Sequence, residues 1–87
     1  MIRFEPVMAR GAVTQVSNNA IRIKAIDQRV VNGNLTDRTV VMVKPRVGPD
    51  YRGTRADIKQ GMAVNLAGHH VEGQPMGVLL VELLIGQ

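Results

Sequence analysis

Asp57-Ile58-Lys59-Gln60-Gly61-Met62-Ala63-Val64-Asn65-Leu66-Ala67-Gly68 and, after a polar loop, Gly77-Val78-Leu79-Leu80-Val81-Glu82-Leu83-Leu84-Ile85-Gly86 decide the fold. Each stretch holds an apolar run of strand length bracketed by glycine, and turn-forming residues join the two. That pattern describes a β-hairpin carrying much of the core.

The upstream sequence has the same character. Residues 7–16 read as a strand, with Val13 and Val16 apolar, Arg10, Thr14 and Gln15 polar, and Gly11 marking a bulge or sharp bend. Ser17-Asn18-Asn19 is a turn, because asparagine tolerates positive φ. Residues 20–26 alternate at period two, placing Ile21, Ile23 and Ala25 on one face and Arg22 and Lys24 on the other. Asn32-Gly33-Asn34 is the strongest short turn signal, dividing a short strand at Arg29-Val30-Val31 from a longer one over residues 38–44.

From Pro45 to Arg55 two prolines and two glycines exclude a regular helix or a central strand. Asp57-Ile58-Lys59-Gln60 has room for one helical turn. No segment sustains a helical period. The expected fold is all-β: a small five-stranded barrel with little or no helix, in a single domain over residues 1–87.

A chain of 87 residues buries only one core, and without cysteine neither disulfides nor thiolate–metal chemistry can staple it. The hydrophobic fraction is 45% with one Phe, one Tyr and no Trp, so that core is aliphatic. The net charge is +4, from 11 Lys and Arg against 7 Asp and Glu, which favours polyanionic partners. Residues 1–6 contain no apolar signal core. The terminal apolar run is far shorter than the ~20 residues of a spanning helix and holds Glu82. The expectation is a protein of the cytoplasm, or of a particle assembled inside the cell, with no membrane partner.

The layout resembles a minimal oligonucleotide/oligosaccharide-binding (OB) barrel. In compact OB families an acidic-hydrophobic-x-x-Gly turn introduces the fourth strand, and residues 57–68 are similar; Gly11-Ala12-Val13-Thr14-Gln15-Val16 resembles the opening strand. Periplasmic haem chaperones of cytochrome maturation share this pattern. The present chain departs from them in lacking an export signal and a haem-attachment context, so their function does not transfer. The resemblance implies a barrel whose strand surface binds an extended ligand.

Two sets of residues carry the expected chemistry. The segment over residues 44–59 holds Lys44, Arg46, Arg52, Arg55 and Lys59 against Asp50 and Asp57, and includes Tyr51. There Arg46, Arg52 and Arg55 would neutralise phosphates and Tyr51 would stack on a base. The alternative is a solvated loop whose arginines cap carbonyls. Arg22 and Lys24 form the second set, on the polar face of a strand where OB barrels present their binding surface. With so few aromatics, phosphate contacts must dominate and oligomerisation would multiply them. The expected partner is therefore single-stranded nucleic acid, bound without sequence preference by a homo-oligomer or a complex subunit.

No catalytic group is expected, since Ser17 is the only serine and no acid/base pair is visible. No metal site or cofactor is expected either, because His69 and His70, adjacent in a strand, point to opposite faces. The alternative function is a non-enzymatic assembly module. Its feature is the terminal strand, where Leu79, Val81, Leu83 and Ile85 alternate with Val78, Leu80 and Leu84 to give two apolar faces, covered by another subunit or by the arm around Ile2 and Phe4.

Overall fold

The computed structural model describes residues 5–70 and 72–86. Six strands form one sheet: β1 (Glu5–Val16), β2 (Ala20–Ala25), β3 (Val30–Pro45), β4 (Tyr51–Arg52), β5 (Ala63–His70) and β6 (Met76–Ile85). The order β2-β1-β5-β6-β3 closes through a β2–β3 pairing, giving a five-stranded barrel with β4 added to the outer edge of β3. All barrel pairings are antiparallel except β3–β6, which is parallel. The protein is thus all-β, and its pairing order is compatible with an OB-like barrel. Among the described residues the only helical element is a 3-10 turn, Arg55–Asp57. It lies slightly before the position expected from the sequence and is closed by Asp57, whose carboxylate accepts the Thr54 backbone N–H at 2.8 Å.

Alternation builds the core. On β2, Ile21, Ile23 and Ala25 are buried while Arg22 and Lys24 are exposed. Val64 and Leu66 of β5 and Val81 and Leu83 of β6 are fully enclosed. Removing one such side chain, as in Leu66→Ala, costs about 2–5 kcal/mol. Gly11 and Gly68 sit where strands cross closely: a Cβ at either would run into the carbonyl oxygen of Lys24 or of Gly77. The N-terminal cover expected from Ile2 and Phe4 lies outside the described residues.

Two expectations are corrected. Asn32-Gly33-Asn34 is not a turn; it lies within β3, paired with Arg22, Ile21 and Ala20 of β2. Gly33 is buried because the core has no room for a larger residue there, a Cβ lying 2.5 Å from Val78 Cγ2 and 3.2 Å from Ile21 Cγ2. The actual turn is Ile26-Asp27-Gln28. The Ala25 N–H donates to the Arg29 carbonyl (2.8 Å), the Gln28 N–H donates to the Ala25 carbonyl (2.9 Å), and Gln28 takes φ 74°. Asp27 locks it by accepting from the Arg29 backbone N–H (3.2 Å) and from its Nε–H (2.6 Å). The Arg29 backbone N–H, aided by the guanidinium, holds the Asp27 carboxyl below its ordinary value.

The terminal strand is the second correction. Gly68 pairs with Val78 but Ala67 with Leu80, so Leu79 is an extra residue on β6. This bulge resets the alternation. Val78, Val81 and Leu83 all point inward, while Leu79 turns outward and is 42% exposed. A second irregularity marks β3, where Leu35 pairs with Val78 and Val40 with Leu80. The extra residues form a bulge at Thr36-Asp37-Arg38-Thr39. Buried Thr39 fixes it, its Oγ1 donating to the Val78 carbonyl (2.6 Å) and accepting from the Thr36 N–H (2.9 Å).

Candidate nucleic-acid interface

The outer face of the β2–β3 hairpin carries a row of polar side chains. Alternation turns Arg22 and Lys24 outward on β2 and Asn32 and Asn34 outward on β3, and pairing sets Arg22 directly beside Asn32. The Arg22 Nε–H donates to Asn32 Oδ1 at 2.8 Å, which orients the guanidinium across the face and leaves its other N–H groups pointing outward. Gln15 and Ser17 from the end of β1 and its turn, and Pro75 from the β5–β6 loop, complete a cleft of about 300 Å³ with Arg22, Asn32 and Asn34, while Lys24 stands outside it, opposite Val30. A second cleft of about 650 Å³ adjoins it, sharing Asn32 and Pro75 and extending past Arg29, His70 and Gln74.

Arg55 stands at the far end of this surface. Its Nη1 donates to the Asn18 carbonyl at 2.5 Å and its Nη2 to the Thr36 carbonyl, so it ties the 3-10 turn to the β1–β2 turn and to the β3 bulge. Thr36 lies two residues beyond Asn34. The structure therefore brings Arg55 into line with Arg22 and Lys24, but with two of its donors engaged on carbonyls.

Arg46, Tyr51 and Arg52 are elsewhere. Tyr51 and Arg52 pair with Val43 and Met42 near the opposite end of β3, and the Arg46 N–H donates to the Ile85 carbonyl (3.0 Å) where β3 and β6 end. Measured along β6, the partners of Gly33 and Met42 are Met76 and Glu82, about 20 Å of strand apart. Tyr51 is 57% exposed, but no part of the β2–β3 face. The expected loop set therefore divides, with Arg55 at the β3 bulge and the other three beyond it toward the end of β3. Lys44 beside them faces Glu82 (3.3 Å) and Asp50 (3.9 Å).

Sequence reading missed Asn32, Asn34 and Gln74. The signal for the first two was present: Val31, Gly33 and Leu35 continue a period-two pattern with Asn32 and Asn34 between them, provided Gly33 counts as an inward residue. Among the described residues no three His, Asp or Glu side chains are placed to hold a metal ion, and no helix is long and apolar enough to cross a membrane.

The geometry suits an extended polyanion more than a compact ligand. The face is open, presents cations and amides, and among the described residues offers no aromatic platform. Comparison of the chain with protein-family models, with curated proteins and with solved structures finds no match. The assignment of the site rests on its own chemistry.

Proposed function

We propose that this protein is an OB-like barrel that binds single-stranded nucleic acid across the outer face of β2–β3, chiefly through phosphate contacts. One observation carries the reading: Arg22 and Lys24 project from the outer face of β2, with Arg22 beside Asn32 in a cleft that Asn34 also lines. Strand alternation fixes that arrangement, and the strands 2–3 face is where barrels of this order take oligonucleotides. Arg22 and Lys24 anchor phosphates; Asn32 and Asn34, each with an amide donor and acceptor, bond sugars or base edges. Without stacking, which is worth about 1–3 kcal/mol per base, affinity is modest and strongly salt-dependent. Arg46, Tyr51 and Arg52 extend the contact only for a strand long enough to travel round the barrel.

Fluorescence anisotropy of a labelled single-stranded oligonucleotide at two salt concentrations, with a duplex control, tests the proposal. Binding that weakens steeply with salt and prefers the single strand supports it. Absence of binding at low salt refutes it.

One observation favours assembly as a second reading. Met8, Ala67, Leu80 and Val40 pair successively across β1, β5, β6 and β3, forming an apolar row on the outside of the barrel. A defined higher oligomer with no affinity for nucleic acid would select this reading.

A further inference from the structure

The barrel is closed only where β2 is present. β2 pairs with residues 11–16 of β1, whereas β5 pairs with residues 5–12, so residues 6–10 have a strand on one side and, among the described residues, none on the other. Parity identifies the groups left on the open side. Val13 bonds toward β5, its N–H donating to the Met62 carbonyl (2.9 Å) and its carbonyl accepting from the Gly61 N–H (2.7 Å). Backbone groups alternate sides along a strand, and the β1–β5 register runs unbroken from Glu5 to Ala12. The open edge therefore presents the Pro6 carbonyl, the N–H and carbonyl of Met8 and the Arg10 N–H, while the Gly11–Ala25 pairing sets the Arg10 carbonyl toward Ile26.

This edge borders the 650 Å³ cleft, whose opposite wall includes Val30 and Val31. Met8 is 79% exposed and Val30 58% exposed, an apolar pair flanking an unpaired ladder. Arg10 and Lys24 are exposed beside it and Arg29, in contact with Asp27, lines the cleft; Glu72 is exposed next to the lining residue Gly73, and Glu5 precedes the edge in β1. A second copy of the chain would bring these cations against their equals, and Pro6 offers it no N–H. Both features guard an edge against self-pairing. The cations do not resist a strand of opposite charge, and Pro6 withholds one donor from any strand while Met8 keeps both of its groups.

We propose that residues 6–10 of β1 accept an extended acidic peptide as an added antiparallel strand. Its backbone pairs with Met8 and Arg10, its apolar side chains lie against Met8 and Val30, and its carboxylates meet Arg10 and Lys24. The incoming strand would lengthen the apolar row that already runs from Met8 to Val40. Its ladder lies on β1, and although it shares Lys24 with the β2–β3 face it does not depend on the nucleic-acid reading of that face.

The test is a synthetic peptide alternating Val or Leu with Glu, against a control in which every Glu is Lys, read by anisotropy and by residue-specific amide exchange. The acidic peptide is expected to bind and to slow exchange at the Met8 and Arg10 amides, a protection that charge attraction alone does not give. Arg10→Glu, at an exposed position, should weaken the acidic peptide about tenfold and admit the lysine peptide. Equal binding of both peptides by the unaltered protein, or no protection at Met8 and Arg10, overturns the proposal. So does protection in the free protein that rises with its concentration, which would make a second copy the occupant. Protection of the same two amides by an oligonucleotide but not by the peptide would assign the edge to nucleic acid.

Discussion

The two halves of β3 behave differently although one strand contains both. Residues 30–35 pair with β2 and turn Asn32 and Asn34 toward open solvent beside Arg22. Residues 40–45 pair with β6 and β4, and their outward side chains, Val40, Met42 and Lys44, are half-buried. The bulge at Thr36-Asp37-Arg38-Thr39 separates an exposed polar surface from a half-buried one. Charge density along the sequence pointed to the second region; the closed barrel makes the first the converging one.

The bulge is the place to break this contrast. Thr39→Val keeps the shape but strands the Val78 carbonyl and the Thr36 N–H, and should lower stability by about 1–3 kcal/mol in urea unfolding. Arg55→Ala removes two charge-assisted bonds from the same corner, and at a half-buried site about 1–2 kcal/mol is expected. Arg52→Ala, exposed on β4, should stay within about 0.5 kcal/mol. If Arg55→Ala and Arg52→Ala were equally mild, Arg55 would be no clip.

Binding sharpens the contrast further. Arg22→Ala with Lys24→Ala should weaken oligonucleotide affinity about tenfold and reduce the salt slope by about 1.4, the value for two phosphate contacts on a single strand. Arg46→Ala with Arg52→Ala should change a short oligonucleotide's affinity less than about twofold. Equal losses in the two pairs would merge the halves that the structure separates.

The smallest effect concerns the turn. The Asp27 carboxyl is lowered on folding, so its contribution is present above the ordinary carboxylate range and is lost as pH falls through the depressed value. Asp27→Asn should therefore be slightly less stable than the parent at neutral pH and equal to it in strong acid. A difference that grows toward acid would contradict the assigned bond.

Much of this fold was legible because alternation is local. β1, β2, β5 and β6 follow from apolar spacing and glycine boundaries. The continuity of β3 was not legible, because Gly33 is small for the sake of Ile21 and Val78, which other strands supply. The β6 bulge depends equally on its partner: nothing near Leu79 announces that it faces outward. Arg22 and Lys24 could be placed on one face from β2 alone, whereas Asn32 and Asn34 needed the register that sets them alongside. Arg55 was readable as a carbonyl cap or as a phosphate anchor, and only the positions of Asn18 and Thr36 show what it touches.

An amide-correlation NMR titration of isotopically labelled protein with a short single-stranded oligonucleotide tests the location of the site most directly. Perturbations should concentrate on Arg22, Lys24, Asn32 and Asn34 and fade along β3 beyond Thr36. Perturbations confined to Arg46, Tyr51 and Arg52, or none at saturating oligonucleotide, would contradict the assignment of the β2–β3 face.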